Sequence, residues 1–100
     1  MATERQIQET IARCVSIAVF YHNGEMTPKA RASMASEFRT VAAELKRWGL
    51  SRGATEGRIL RPLEAELIAR YGTEAGRGLY VEVLKGFEEP AVPLLCPAAR

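Results

Sequence analysis

The side chains from which an active site could be assembled are few in this chain and do not converge. Cys14 and Ser16 are the nucleophile types nearest His22, with Glu25 just beyond, and together they match no nucleophile–base arrangement. There are only two cysteines, Cys14 and Cys96, and one histidine, too few and too far apart for a zinc site or a disulfide framework. Glu64 and Glu66, two apart on a helix, point in different directions. Glu88-Glu89 closes a helix before a proline, and Gly76-x-Gly78 lacks the strand and spacing of a phosphate loop. The expectation is a chain with no catalytic residue, no metal ligand and no cofactor. Binding is left, and the charges say where to look. Residues 29–61 hold eight basic and three acidic side chains, whereas both flanking segments are slightly acidic. The candidate partner-binding residues are therefore Arg39, Lys46, Arg47, Arg52 and Arg58. Arginine serves such contacts well, because its planar fork and apolar stem meet polar and apolar groups alike. Glu37 and Glu44 interleave with them, which is also how a solvated helix face looks.

These residues have to be held by something, and the clearest element is at residues 27–49. Ala30, Met34, Phe38, Val41, Leu45 and Trp48 recur at steps of three and four, which is one helical face. Thr27 suits the N-cap, Pro28 the first helical position and Gly49 a left-handed C-terminus. Arg39 and Lys46 lie on one side of this helix, away from the stripe. Phe38 and Trp48 lie on the stripe, so they are read as core and not as a base-stacking platform.

A first helix is expected over 3–22, opened by a capping box from Thr3 and Gln6, with Ile7, Ile11, Cys14, Val15 and Ala18 on one face and His22 in a capping or surface role at its end. Its second half is apolar nearly all round, which suits a central core element or a partly partner-facing one. Residues 50–57 read as a loop or weak helix, with a short helix at 55–60 as an option. Pro62 would begin the next helix, 62–71, with Leu63, Leu67, Ile68 and Tyr71 inward and Gly72 as its stop. Thr73 is the N-cap candidate for a last helix over 74–89, whose stripe is Leu79, Tyr80, Val83, Leu84 and Phe87. Gly76, Gly78 and Gly86 weaken that helix or let it approach a neighbour closely. Pro90, Pro93 and Pro97 make 91–100 an extended tail in which Leu94 and Leu95 could dock.

The fold expected is all-α: one compact domain of four main helices over 1–90 and a Pro-rich tail. One hundred residues, 47% apolar and 26% charged, suit a single modest core that buries roughly 60% of the unfolded surface. No apolar run reaches the roughly 20 residues that span a bilayer, and no signal peptide is visible, so a cytoplasmic location and no membrane partner are expected.

Residues 41–60, VAAELKRWGLSRGATEGRIL, resemble a helix-turn-helix DNA-binding motif, with Gly49 as the turn glycine and Ser51-Arg52 opening the recognition helix. The resemblance extends to LRPLEAELI, which is similar to a helix end of winged-helix regulators. It implies Arg52, Glu56 and Arg58 in the major groove and Lys46 and Arg47 on phosphates. Leu45 stands where the motif wants a small residue, Gly53 and Gly57 interrupt the second helix, and Arg58 replaces an apolar contact. In size and build, about a hundred residues, all-helical and without a residue motif, the chain also resembles the small phage or mobile-element inhibitors of host machinery, anti-CRISPR proteins among them. That resemblance implies a non-enzymatic inhibitor that docks on a CRISPR surveillance complex, a large nucleoprotein partner, and blocks nucleic-acid access or recruitment. It transfers no functional residue.

Overall fold

The computed structural model describes residues 2–88. The expected tail, Cys96, the Leu94-Leu95 pair and the last residue of the expected final helix lie outside the described residues. The described chain is all-α, as its periodicities require. In chain order it forms α1 (Glu4–Asn23), α2 (Pro28–Arg47), α3 (Arg52–Thr55), a π-helical turn (Glu56–Leu60), α4 (Arg61–Tyr71) and α5 (Thr73–Glu88).

The local signals explain most of the boundaries. Thr3 and Gln6 make the reciprocal capping box that opens α1, the Gln6 amide donating to Thr3 Oγ1 and the Thr3 amide to Gln6 Oε1. Thr27 accepts from the Ala30 amide at 3.0 Å and Pro28 takes the first position of α2. At the other end, Gly49 sits at φ 85°. Its amide donates to Lys46 O and that of Leu50 to Leu45 O, the paired bonds of a Schellman motif. Gly72, at φ 92°, is the whole connection between α4 and α5. Thr73 is therefore the first residue of α5 and not its cap; the Gly72 carbonyl takes the first helical bond, from the Gly76 amide at 2.8 Å.

Residues 50–60 take the helical option, and over a longer, unbroken stretch than expected. Helix already begins at Arg52, because Ser51 caps it by accepting from the Ala54 amide at 3.1 Å, and it runs without a break into α4. Pro62 is the second residue of α4, not its start. A straight α-helix would press the proline ring on the carbonyl four residues back. The wider π turn immediately before it gives that carbonyl room, so the chain stays helical where the proline alone predicts an interruption.

Packing follows the apolar stripes. α2 lies along α5 and α5 along α4, while α1 covers α2, α4 and the π turn. Ile7, Cys14 and Ala18 of α1, Met34, Phe38, Val41 and Leu45 of α2, Ile59, Leu63, Leu67 and Val83 are buried together. Each large member contributes roughly 1.5–3 kcal/mol. Two glycines of α5 set its distances. A Cβ on Gly76 would come within 2.6 Å of the Ile68 Cα in α4, and one on Gly86 within 2.5 Å of the Phe38 Cβ in α2. Of the two roles open to the glycines of this helix, close approach is the one Gly76 and Gly86 fill. Gly78 meets nothing. The slab is 43 × 36 × 17 Å, thin enough for two layers of helix. Among the described residues no helix is long and apolar enough to cross a membrane.

Candidate partner-binding groove

The Schellman turn at Gly49 sends the chain back beside the end of α2, and the space between α2, the 50–64 segment and the outer edge of α5 stays open as a groove of about 1020 Å³. The three elements give it two kinds of lining. Leu50, Leu60, Tyr80, Leu84 and Phe87 supply an apolar base that is buried or half-buried. Arg39 and Lys46 of α2, Arg52 of α3 and Arg61 of α4 supply exposed cations, with Glu56 and Glu64 as the two carboxylates. Periodicity had assigned Tyr80, Leu84 and Phe87 to the core stripe of α5. The structure grades that stripe: Leu79 and Val83 are buried, while the other three are half-buried, packed against the core and lining the groove with their remaining surface.

Of the five candidate residues, the fold brings Arg39, Lys46 and Arg52 together here. Arg47 is exposed in the last turn of α2 but does not line the groove; there its charge favours the negative end of the helix dipole. Arg58 projects elsewhere and pairs with Glu4 at the start of α1. Residues 52 and 56 are one helical turn apart and share a face, whereas 58 is displaced by more than half a turn, which separates the three positions that the helix-turn-helix resemblance would need side by side. Arg61, outside the candidate set, is the added member. It belongs to the basic stretch 29–61, and its place beside Arg52 is set by the helix running on through the π turn.

Lys46, Arg52 and Arg61 form no ion pair among the described residues. Two cations elsewhere brace the bundle: Arg13 binds Glu44 at 3.0 Å across α1 and α2, and Arg31 lies 3.9 Å from Glu82 across α2 and α5. Such exposed pairs contribute up to about 1 kcal/mol each. Tyr21 also bridges α1 and α2, its hydroxyl donating to the Glu37 carboxylate, and that bond to an anion raises the phenol pKa above its ordinary value.

The candidates for catalysis lie apart from the groove. Cys14 is fully buried in the core, and desolvation pushes its thiol up to about 12, so at neutral pH it is protonated, the opposite of an activated nucleophile. His22 ends α1 with its ring 4.0 Å from that of Tyr71, a contact between the ends of α1 and α4 that sequence spacing could not reveal. Phe20, on the apolar half of α1, is 70% exposed beside Tyr21. Among the described residues no group of three or more His, Cys, Asp or Glu side chains could hold a metal ion. No protein-family model, curated protein or solved structure matches the chain.

Proposed function

We propose that the chain is a non-enzymatic protein-binding module whose contact surface is the groove beside the end of α2. In the form that its resemblance to phage and mobile-element inhibitors implies, it docks on a host CRISPR surveillance complex and blocks nucleic-acid access or recruitment. The observation that carries the binding reading is the groove's composition. Lys46, Arg52 and Arg61, which form no ion pair among the described residues, stand around an apolar base that a solitary domain gains nothing by leaving open. Such a surface combines an apolar patch, which supplies affinity, with charges that steer and orient the partner.

Affinity capture of the tagged chain from nuclease-treated lysate of its native host, read by mass spectrometry, tests the module. The expected result is a large protein complex retained by the natural chain and lost on Arg39→Glu, Lys46→Glu and Arg52→Glu. Retention by all three folded variants removes the groove as the contact. The CRISPR form has a separate test. Expressing the chain in cells with active CRISPR immunity is expected to restore plaque formation by a targeted phage, and unchanged immunity removes that partner class.

The alternative is duplex DNA reading by residues 41–60, and it draws on the left-handed turn at Gly49 between α2 and α3. It predicts sequence-specific binding that weakens steeply with salt. The pairing of Arg58 with Glu4 and the π turn within the would-be recognition helix favour the protein reading.

A further inference from the structure

Resting on the protein-binding reading, we infer that the groove receives an amphipathic acidic helix of the partner. Three features of the lining lead there.

The first is charge. Lys46, Arg52 and Arg61 come from three different elements, and none has an ion-pair partner among the described residues. Carboxylates on an occupant would neutralise them on several sides of the apolar base. Bidentate arginine–carboxylate pairing would fix its orientation.

The second is the character of the base. Leu50, Leu60 and Leu84 dominate it, with Tyr80 and Phe87 beside them. Aliphatic side chains between helices accept the leucine-type anchors that one helical face presents at i, i+3 or i+4, and i+7. An extended peptide would need a free strand edge to pair with, and the described residues contain no strand. A nucleic acid would need an unbroken basic track and stacking faces. Glu56 and Glu64 interrupt the track, and the leucines offer no stacking.

Size is the third. About 1020 Å³ is at the upper edge of the roughly 300–1,000 Å³ of small-molecule sites, and the cationic side chains around it are exposed and do not converge on one point. A helix face fits such an open site better than an enclosed ligand does. Glu56 and Glu64 set the register, since an occupant's carboxylates cannot face them.

The wall formed by α3 and the π turn suits this use. Added Cβ atoms at Gly53 and Gly57 would meet nothing within 4 Å, so the outer side of this wall is open, while Ile59 and Leu60 anchor its inner side in the core. Interrupted helical hydrogen bonding of this π type recurs at functional positions in helices.

The test is a selection from a display library of random peptides about four helical turns long against the full chain. The expected consensus has apolar residues at i, i+3 or i+4, and i+7, flanked by Asp and Glu. A labelled consensus peptide is expected to bind the Arg52→Glu/Arg61→Glu variant at least about tenfold more weakly, while the Arg52→Lys/Arg61→Lys variant keeps most of the affinity. Both positions are exposed, so circular dichroism of each variant is expected to match the natural chain. A basic, proline-rich or aperiodic consensus, no enrichment, binding unchanged by charge reversal, or displacement by a short DNA duplex overturns the inference. Loss of host capture on Lys46→Glu or Arg52→Glu without an acidic helical consensus sinks this inference and leaves the protein-binding reading intact. The consensus without any charge-dependent host capture does the reverse.

Discussion

Two stretches of the molecule carry glycines inside helix, and the structure uses them in opposite ways. In α5, Gly76 and Gly86 face the backbone of α4 and the Phe38–Ala35 turn of α2, so the missing side chain is what lets three helices pack at that distance. Between Arg52 and Leu60, Gly53 and Gly57 face open space. The same residue type costs helix propensity in both places, but only α5 recovers it in packing. What the pair teaches is that this bundle has a tight side, built by α2, α4 and α5, and a wall of α3 and the π turn whose outer side is open, and that the groove lies along the boundary between them.

The tight side should show the larger effects. Cys14 of α1, sealed in the core that the tight side closes, is the most sensitive reporter of it. Its folded pKa is raised from 9.0 to about 12, so its contribution is fully present below pH 9 and is lost as pH rises from there towards 12. The sign follows because the unfolded chain gives up the thiol proton first. Stability should fall by roughly 1.4 kcal/mol per pH unit across that window, about 4 kcal/mol in all, and the slope attributable to this group should vanish in Cys14→Ala. Urea denaturation at a series of alkaline pH values measures it; identical slopes for the two proteins would mean that the thiol is not sealed in the core.

Next come the packing glycines. Gly76→Ala and Gly86→Ala should each destabilise by about 1–3 kcal/mol, since the new methyl meets backbone or Cβ atoms that cannot give way. A gain in stability at either position would erase the distinction between the two stretches. Charge reversal at Lys46 and Arg52 should act on binding and hardly on folding. Thermal stability is expected to stay within about 0.5 kcal/mol of the natural chain, while partner affinity falls at least about tenfold. The smallest effect belongs to the wall: Gly53→Ala and Gly57→Ala should each stabilise by about 0.4–1 kcal/mol, because both glycines sit in right-handed helix with room for a methyl. Losses there as large as at Gly76 would show that these two positions are packed after all.

What the sequence made legible is what depends on neighbours in the chain. The Thr3–Gln6 box, the Thr27-Pro28 start, the Gly49 turn and the stripe from Met34 to Leu45 are each decided within a few residues, and each is where spacing puts it. The seven-residue step from Arg39 to Lys46 likewise placed both on the groove side of α2. Long-range contacts decide the rest. Nothing local distinguishes Gly76 from Gly78, or tells that Arg58 will be taken up by Glu4 from the other end of the chain. An apolar stripe records which residues avoid water and not how completely they are covered, so Tyr80, Leu84 and Phe87 read as core, and do pack against it, but their share in the groove is not visible. Pro62 misled in a different way. Proline rules out an ordinary α-helical turn before it, but the chain had a wider turn available.

On the proposed reading a protein partner is held at the groove by Lys46, Arg52 and Arg61, which form no ion pair among the described residues. Affinity capture from the native host, comparing the natural chain with Lys46→Glu/Arg52→Glu at equal amounts of folded protein, tests that claim most directly. The expected result is a protein complex bound by the natural chain and at least about tenfold depleted from the variant. Equal recovery of the same complex by both would contradict it.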